Sequence, residues 1–329
     1  MQQLPKLSTD ILDELRGSKN LLAYSAGSDS NALFFTLLAY DIEFDIALVN
    51  YKTREQSDKE EEYAKQLAKK FDKKCYTLTC KITNGNFESE ARAKRYSFFE
   101  ELIKKHSYQN LLSAHHLNDR FEWFLMQLSK GAGVVELSGM SKIEKRDNYK
   151  IIRPLLEVSK DEVEKFLKLN NIKYFIDSSN SDKSYFRNKI REEFASSFVK
   201  EHKEGIKKSF EYMQNDAKRL FSEPIFNKLE LFVLKRDSDD LVNIRSIDRV
   251  LKKLGVLISS KERDEIIKTK DCVVARKFAI SFTKDKIFIA PFLKASMDKD
   301  FKERCRVQKI PPKIRPYLFS EAIALEFIS

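Results

Sequence analysis

Six consecutive residues, Ser25-Ala26-Gly27-Ser28-Asp29-Ser30, combine three hydroxyls, a carboxylate and two small residues. Such a stretch suits phosphate, because small side chains let backbone N–H groups approach an anion and a following helix adds partial positive charge. A Walker loop is excluded: GxxxxGK[ST] needs a lysine for the β/γ-phosphates, and no lysine occurs between Lys19 and Lys52. The simpler account is a serine-rich turn capping a helix, with Asp29 in its dipole-favoured first turn. A second cluster, His115-His116-Leu117-Asn118-Asp119-Arg120-Phe121-Glu122, gathers two of the four histidines and two carboxylates. Asp119 and Glu122 stand at i,i+3 spacing, which a helix presents on one face. Metal binding is one explanation, although the H-x-x-D-x-x-E order matches no common zinc spacing; a polar helix start is another. Arg92 and Arg95 share a helix face that solvent alone would explain. Arg187 and Arg191, four apart, could grip one phosphate chain.

These groups need strands that end where they begin. Leu21 to Tyr24 reads as a buried strand running into the Ser25 loop, and the period of Leu33, Leu37 and Leu38 gives the helix that follows. Ser8 opens a helix over Leu7 to Arg16, Ile42 to Val49 is a second strand, and Ser57 caps a charged helix to Lys70. With Cys75 to Leu78 as third strand, the order βαβαβ predicts a doubly wound, mostly parallel α/β sheet, whose ligands sit at the carboxyl ends of the strands. Glu90 to Phe99 begins the next helix, and Leu111 to Ala114 is a fourth strand leading straight into His115. Gly131 to Met140 reads as a glycine-marked loop; its GxG is a weak dinucleotide signal, because the ribose-binding acid and the helix are missing. Ile151 to Leu156 is a strand ending at a proline, and Ser159 caps a helix over Lys160 to Leu169.

The pattern changes from Glu201. Lys207 to Leu220 continues as a mostly polar helix, Ser246 caps a helix over Ile247 to Leu254, and Val273 to Ala290 reads as a hairpin around Thr283-Lys284-Asp285-Lys286. The expected organisation is a catalytic domain over 1–200, a linker helix over 201–220 and a small basic α+β domain over 221–329. The 329 residues, 42% hydrophobic, can bury a sizeable core. The apolar run around Leu33 to Leu38 is too short to span a bilayer, so a cytoplasmic protein without a membrane anchor is expected. Cys75, Cys80, Cys272 and Cys305 form no CxxC and have no histidine at zinc spacing, which argues for reduced thiols. The net charge of +11 is uneven: residues 1–200 hold 33 Lys+Arg against 30 Asp+Glu, and 201–329 hold 28 against 20. That excess points to a polyanionic partner.

Ser25 to Ser30 resembles the SGGxDS loop of the PP-loop ATP pyrophosphatases, with Ala26 in place of the first glycine. The ordered set resembles the bacterial tRNA(Ile)-lysidine synthetases. It comprises that loop, Ala91-Arg92 with Arg95-Tyr96 and Phe98-Phe99, Ala114-His115-His116 with Asp119 and Glu122, Gly131-Ala132-Gly133, Gly139-Met140, Arg153-Pro154-Leu155-Leu156, and Asp177 to Asn180 with Arg187-Asn188 and Arg191. The match covers residues 15–200. It departs at Ala26, at Asn118 and Trp123, and at Tyr51-Lys52-Thr53-Arg54, where relatives carry a His-Gly-Leu-Arg run.

The resemblance implies that ATP adenylates the C2 oxygen of the wobble cytidine in tRNA(Ile) bearing CAU, and that the ε-amine of free L-lysine then displaces AMP to give lysidine. It implies ATP binding by Ser25, Ala26, Gly27, Ser28, Asp29 and Ser30, Mg²⁺ on Asp29, adenylation at Arg95, His115 and Arg187, and lysine held by Asp119 and Glu122, with Asp119 also serving the chemistry. A homodimer is left open. Two other readings stand beside it. One is a PP-loop tRNA 2-thiolation enzyme, whose relatives use cysteine pairs that the four cysteines here do not form; the other is a non-catalytic tRNA-binding protein.

Overall fold

The structure is a computed structural model that describes residues 1–53, 56–82, 87–176 and 186–328. The chain divides into two compact units, Met1–Gln214 and Asn215–Ser329. In the first, Leu21 and Leu22 are fully buried because β1 (Asn20–Ala23) has a parallel neighbour on each side. After α1 (Thr9–Leu15) and β1 come α2 (Ser28–Ala39), β2 (Phe44–Asn50), α3 (Gln56–Lys70), β3 (Cys75–Thr79), α4 (Phe87–His106), β4 (Asn110–Leu112), α5 (Leu117–Leu128), α6 (Val134–Leu137), β5 (Ile143–Lys145), β6 (Lys150–Ile152), α7 (Lys160–Leu169) and α8 (Phe186–Ile190). A π-helical turn, Arg191–Ala195, then joins α8 to α9 (Ser196–Arg219), within which the division between the units falls.

The sheet order is β3-β2-β1-β4-β6-β5, parallel except for β5 against β6. The order turns back between β1 and β4, so the loops after these two strands flank the crevice where doubly wound sheets bind ligands. Asn20 ties the opposite edge together. Its buried amide donates to the carbonyls of Leu15, Ser18 and Glu43, and its oxygen accepts from Asn110 on β4, so a polar group inside the sheet is satisfied. Phe34 on α2 makes edge-on contacts to Tyr24, Phe35, Phe44 and Phe71 at 5.0–6.0 Å between centroids, each worth about 0.5–1.5 kcal/mol beyond burial.

Several local expectations shift. The Gly131–Met140 stretch contains the single turn α6, and the strand read over Ile151–Leu156 stops at Ile152, because Pro154 cannot extend the ladder. Ser57 is the second residue of α3. Asp177 to Tyr185, which includes the Asp177–Asn180 motif, and Arg54 lie outside the described residues.

The second unit is a five-stranded antiparallel sheet in the order β7 (Pro224–Lys228), β8 (Leu231–Lys235), β11 (Lys286–Pro291), β10 (Phe278–Phe282), β9 (Asp271–Val274). Alternation along β8 sends Leu231 and Val233 to a cluster with Phe301, Tyr317 and Leu318 of α12 (Lys299–Val307) and α13 (Arg315–Ser320). Phe232 and Leu234 go to the other face, against α10 (Asp240–Lys253) and α11 (Ser260–Thr269). The helix expected from Ile247 begins seven residues earlier, capped by Asp239; Ser246 lies inside it and donates to the Val242 carbonyl. The hairpin around Thr283 to Lys286 forms between β10 and β11.

Candidate active site

Gly27 is the N-cap of α2 and offers no side-chain cap, so backbone N–H groups of the first turn remain available to a ligand. The preceding residue, Ala26, adopts φ +60° with its side chain fully buried. A left-handed alanine costs about 1 kcal/mol relative to glycine. It is held there because its carbonyl accepts from Asn31 Nδ2 at 2.8 Å and from the Phe175 amide at 3.0 Å, while Tyr24 fixes Asn31 at 2.7 Å. The serines divide. Ser30 is buried and donates to the Gly27 carbonyl, Ser25 Oγ lies 3.2 Å from Ser30 Oγ, and Ser28 faces outward toward Asp29. Two hydroxyls therefore shape the loop and the third faces the crevice.

The cation missing from the loop's own sequence arrives from α7. Lys160 Nζ lies 2.6 Å from Asp29 Oδ1 and 2.8 Å from Ser28 Oγ. Lys160 was not among the residues singled out from the sequence; the signal was a lysine directly behind a helix-capping serine at a strand end. Ser159 and Glu162 form a reciprocal capping box at the start of α7, and the Lys160 amide donates to Asn118 Oδ1 at 2.9 Å. Asn118, one of the departures, thus joins α7 to α5.

The start of α5 caps itself. His116 Nδ1 accepts from the Asp119 amide at 3.3 Å, and Asp119 Oδ2 accepts from the His116 amide at 3.0 Å. Accepting that bond puts the ring proton on Nε2, which faces Asp29 Oδ1 at 3.7 Å. His116 therefore stands between the two aspartates. His115, the histidine carried over from the resemblance, bonds instead through Nδ1 to Ser113 Oγ at 2.9 Å. Burial pushes it down to about 4, with Asp119 opposing and Arg153 and Arg187 adding to the fall. Burial would raise Asp119, but His116, Arg187 and His115 outweigh it and hold the carboxyl at about 2.

Glu122 is fully buried, and its charge is answered by two guanidinium groups. Arg187 Nε reaches Oε2 at 2.8 Å, Arg191 Nε reaches Oε1 at 2.7 Å, and Arg187 Nη2 also reaches Asp119 Oδ1 at 2.7 Å. The i,i+4 arginines thus grip carboxylates in this structure, because a buried carboxylate without counter-charge costs several kcal/mol. The bond to Glu122 also holds Arg191 above its usual range. Arg95 stands apart from this group, near Tyr51, whose phenol it pulls against the upward push of burial. Among the described residues no hydrogen bond joins Arg95 to Asp119 or Glu122. Gly139 needs its φ of +64°, and a Cβ there would come within 3.0 Å of Trp123.

Among the described residues no three ligand-type side chains converge on one point. Mg²⁺ does not need them: it is held by one or two carboxylates together with substrate phosphates and water. Asp29, half-exposed beside an uncapped helix start, fits that donor set.

A doubly wound sheet with this loop at its switch point defines a PP-loop protein, and the PP-loop domain model matches residues 2–197. Similar proteins include the tRNA(Ile)-lysidine synthases of Campylobacter jejuni strain RM1221 (43% identity, covering 98% of this chain and 99% of that protein) and Wolinella succinogenes (44%, 94% and 96%). The chain belongs to the tRNA(Ile)-lysidine synthase family, ATP-using enzymes built on the PP-loop domain. Among solved structures, the U34-tRNA thiolase NcsA from Methanococcus maripaludis shares the fold with a TM-score of 0.54 at 18% identity, covering 79% of this chain and 88% of that one.

Proposed function

We propose that the protein ligates free L-lysine to C2 of the wobble cytidine in tRNA(Ile) bearing CAU, through an adenylated tRNA intermediate. The observation that carries this reading is the continuous run of polar contacts from the uncapped loop through Asp29, His116 and Asp119 to Arg187 and Glu122. An anion site and a cation site share one crevice, as a reaction between a triphosphate and an amine requires.

In the first step the C2 oxygen donates an electron pair to the α-phosphorus of ATP, and pyrophosphate leaves with the pair of the broken P–O bond. The loop amides and Ser28 bind the triphosphate, and Asp29 holds Mg²⁺, which supplies charge neutralisation when bound. In the second step the lysine ε-amine attacks C2, loses its proton, and AMP leaves with the C2–O bond. Asp119 and Glu122 hold the lysine ammonium groups; Glu122 Oε2 already accepts from both Arg187 and Arg191, whereas Glu122 Oε1 and Asp119 Oδ1 each accept one arginine N–H and keep a second acceptor direction. His115, bonded to Ser113 and kept uncharged at neutral pH by its burial, offers a neutral imidazole to the adenylation step. Residues 221–329 act as the basic accessory domain that grips tRNA.

Against the thiolation reading, burial pushes the Cys75 thiol up to about 11, which keeps it protonated and poorly nucleophilic. The test is incubation with ATP, labelled lysine and a CAU-bearing tRNA(Ile) transcript. Label in tRNA with AMP and pyrophosphate in equal amounts supports the reading; ADP as product overturns it.

A further inference from the structure

The loop after β1 has no lysine of its own, yet an ammonium sits on it. We infer that Lys160 is the phosphate-binding lysine of this site, which takes the β/γ-phosphates of ATP and neutralises the departing pyrophosphate. This rests on the ATP-dependent reading above.

The placement of Lys160 argues for use rather than for structure. A cation in the first turn of a helix opposes the helix dipole, so stability of α7 alone disfavours lysine there. Its backbone is nevertheless fixed from two sides, by the Ser159–Glu162 capping box and by Asn118 of α5. Lys203 in turn braces Glu162 at 2.8 Å. The backbone is held while the ammonium is left partly exposed, 28% by side chain, against Ser28 and Asp29. A flexible four-carbon stem lets the same ammonium exchange a carboxylate for a phosphate. When the triphosphate binds, it replaces Asp29 as the partner of Lys160 and releases that carboxylate for its own cation. In the adenylation step the C2 oxygen forms its bond to the α-phosphorus as the bridging P–O bond breaks. The electron pair stays on pyrophosphate beside the Lys160 ammonium, and no proton needs to move.

Calorimetric binding of inorganic pyrophosphate and single-turnover adenylation of tRNA, measured for wild type, Lys160→Met and Lys160→Arg, test the inference. Lys160→Met should weaken pyrophosphate binding by about 10- to 100-fold and slow adenylation by about 10²- to 10³-fold. Lys160→Arg should restore both to within about tenfold of wild type, which a packing role for the stem would not require. The half-saturating lysine concentration should stay unchanged in the variant that retains turnover. Pyrophosphate affinity and adenylation within about threefold of wild type in Lys160→Met would overturn the inference. Lys160→Gln carries the same measurements should the methionine variant fail to fold. A wild-type protein that releases no pyrophosphate refutes the ATP-dependent reading itself, whereas an active wild type with an active Lys160→Met refutes only the role of the lysine.

Discussion

The two units carry charge in opposite ways. Met1–Gln214 holds 36 Lys+Arg against 33 Asp+Glu, nearly balanced, yet its charges converge: Asp29 with Lys160, Asp119 with Arg187, and Glu122 with both Arg187 and Arg191. Asn215–Ser329 holds 25 against 17, and its ion pairs run between partly exposed side chains, such as Arg304 with Asp300 and Arg306 with Glu303. Chemistry needs opposite charges held close in a sheltered crevice, where each is worth more than in water. Polyanion binding needs only an excess of exposed cations, which counterion release converts into affinity. On the proposed reading, chemistry belongs to the first unit and tRNA affinity to the second.

The severest way to break this division is Asp29→Ala. It should abolish formation of AMP and pyrophosphate, by 10³-fold or more on the order of magnitude expected for a metal-holding carboxylate, while tRNA affinity stays within about twofold. A filter-binding assay run beside product chromatography reads both, and a parallel loss of tRNA binding would dissolve the division. Next comes Glu122→Gln, which keeps the shape of the side chain and removes its charge. It should leave adenylated tRNA able to form and raise the half-saturating lysine concentration by about 10- to 100-fold. A lysine titration of label transfer decides, and an unchanged midpoint would remove Glu122 from the lysine site.

A smaller effect is expected in the second unit. Replacing Lys252, Lys253 and Lys268 together by Gln should weaken tRNA binding by severalfold and flatten its dependence on salt, with adenylation at saturating tRNA unchanged. An unaltered salt slope would move the tRNA contact away from these lysines. The smallest concerns pH. Burial would raise Glu162, but Lys203 and the Ser159 cap outweigh it and bring the carboxyl to about 2. A depressed carboxylate contributes stability above its unfolded value, and that contribution is lost as pH falls toward the folded one. Discounted for its half-exposed side chain, Glu162→Gln should cost about 1 kcal/mol at pH 7 and almost nothing near pH 2. Melting curves across that range check the closing gap.

Much of this was legible in the sequence because it is local. The loop at Ser25 to Ser30, the common face of Asp119 and Glu122, the helix start at Ser8 and the cap at Ser159 follow from backbone periods and from contacts spanning three or four residues. The parallel order of the first sheet followed from alternating strands and helices. Where local signals competed, the reading slipped: Ser246 resembles a cap, but Asp239 caps the helix and Ser246 bonds back to Val242 inside it.

Tertiary structure alone decided which charges meet. Lys160 reaches Asp29 across 131 positions because β1 and β6 flank β4 in the sheet, so the loops that follow them open on one crevice. The choice of His116 over His115 at Asp29 depends on one residue of register at the start of α5, which turns neighbouring side chains to different partners. The spacing of Arg187 and Arg191 suits a phosphate chain, and in this structure both guanidinium groups lie on the buried Glu122. Sequence spacing specifies the face a side chain occupies on its own element. The partner across the crevice is set by strand order and by the cost of leaving a buried charge alone.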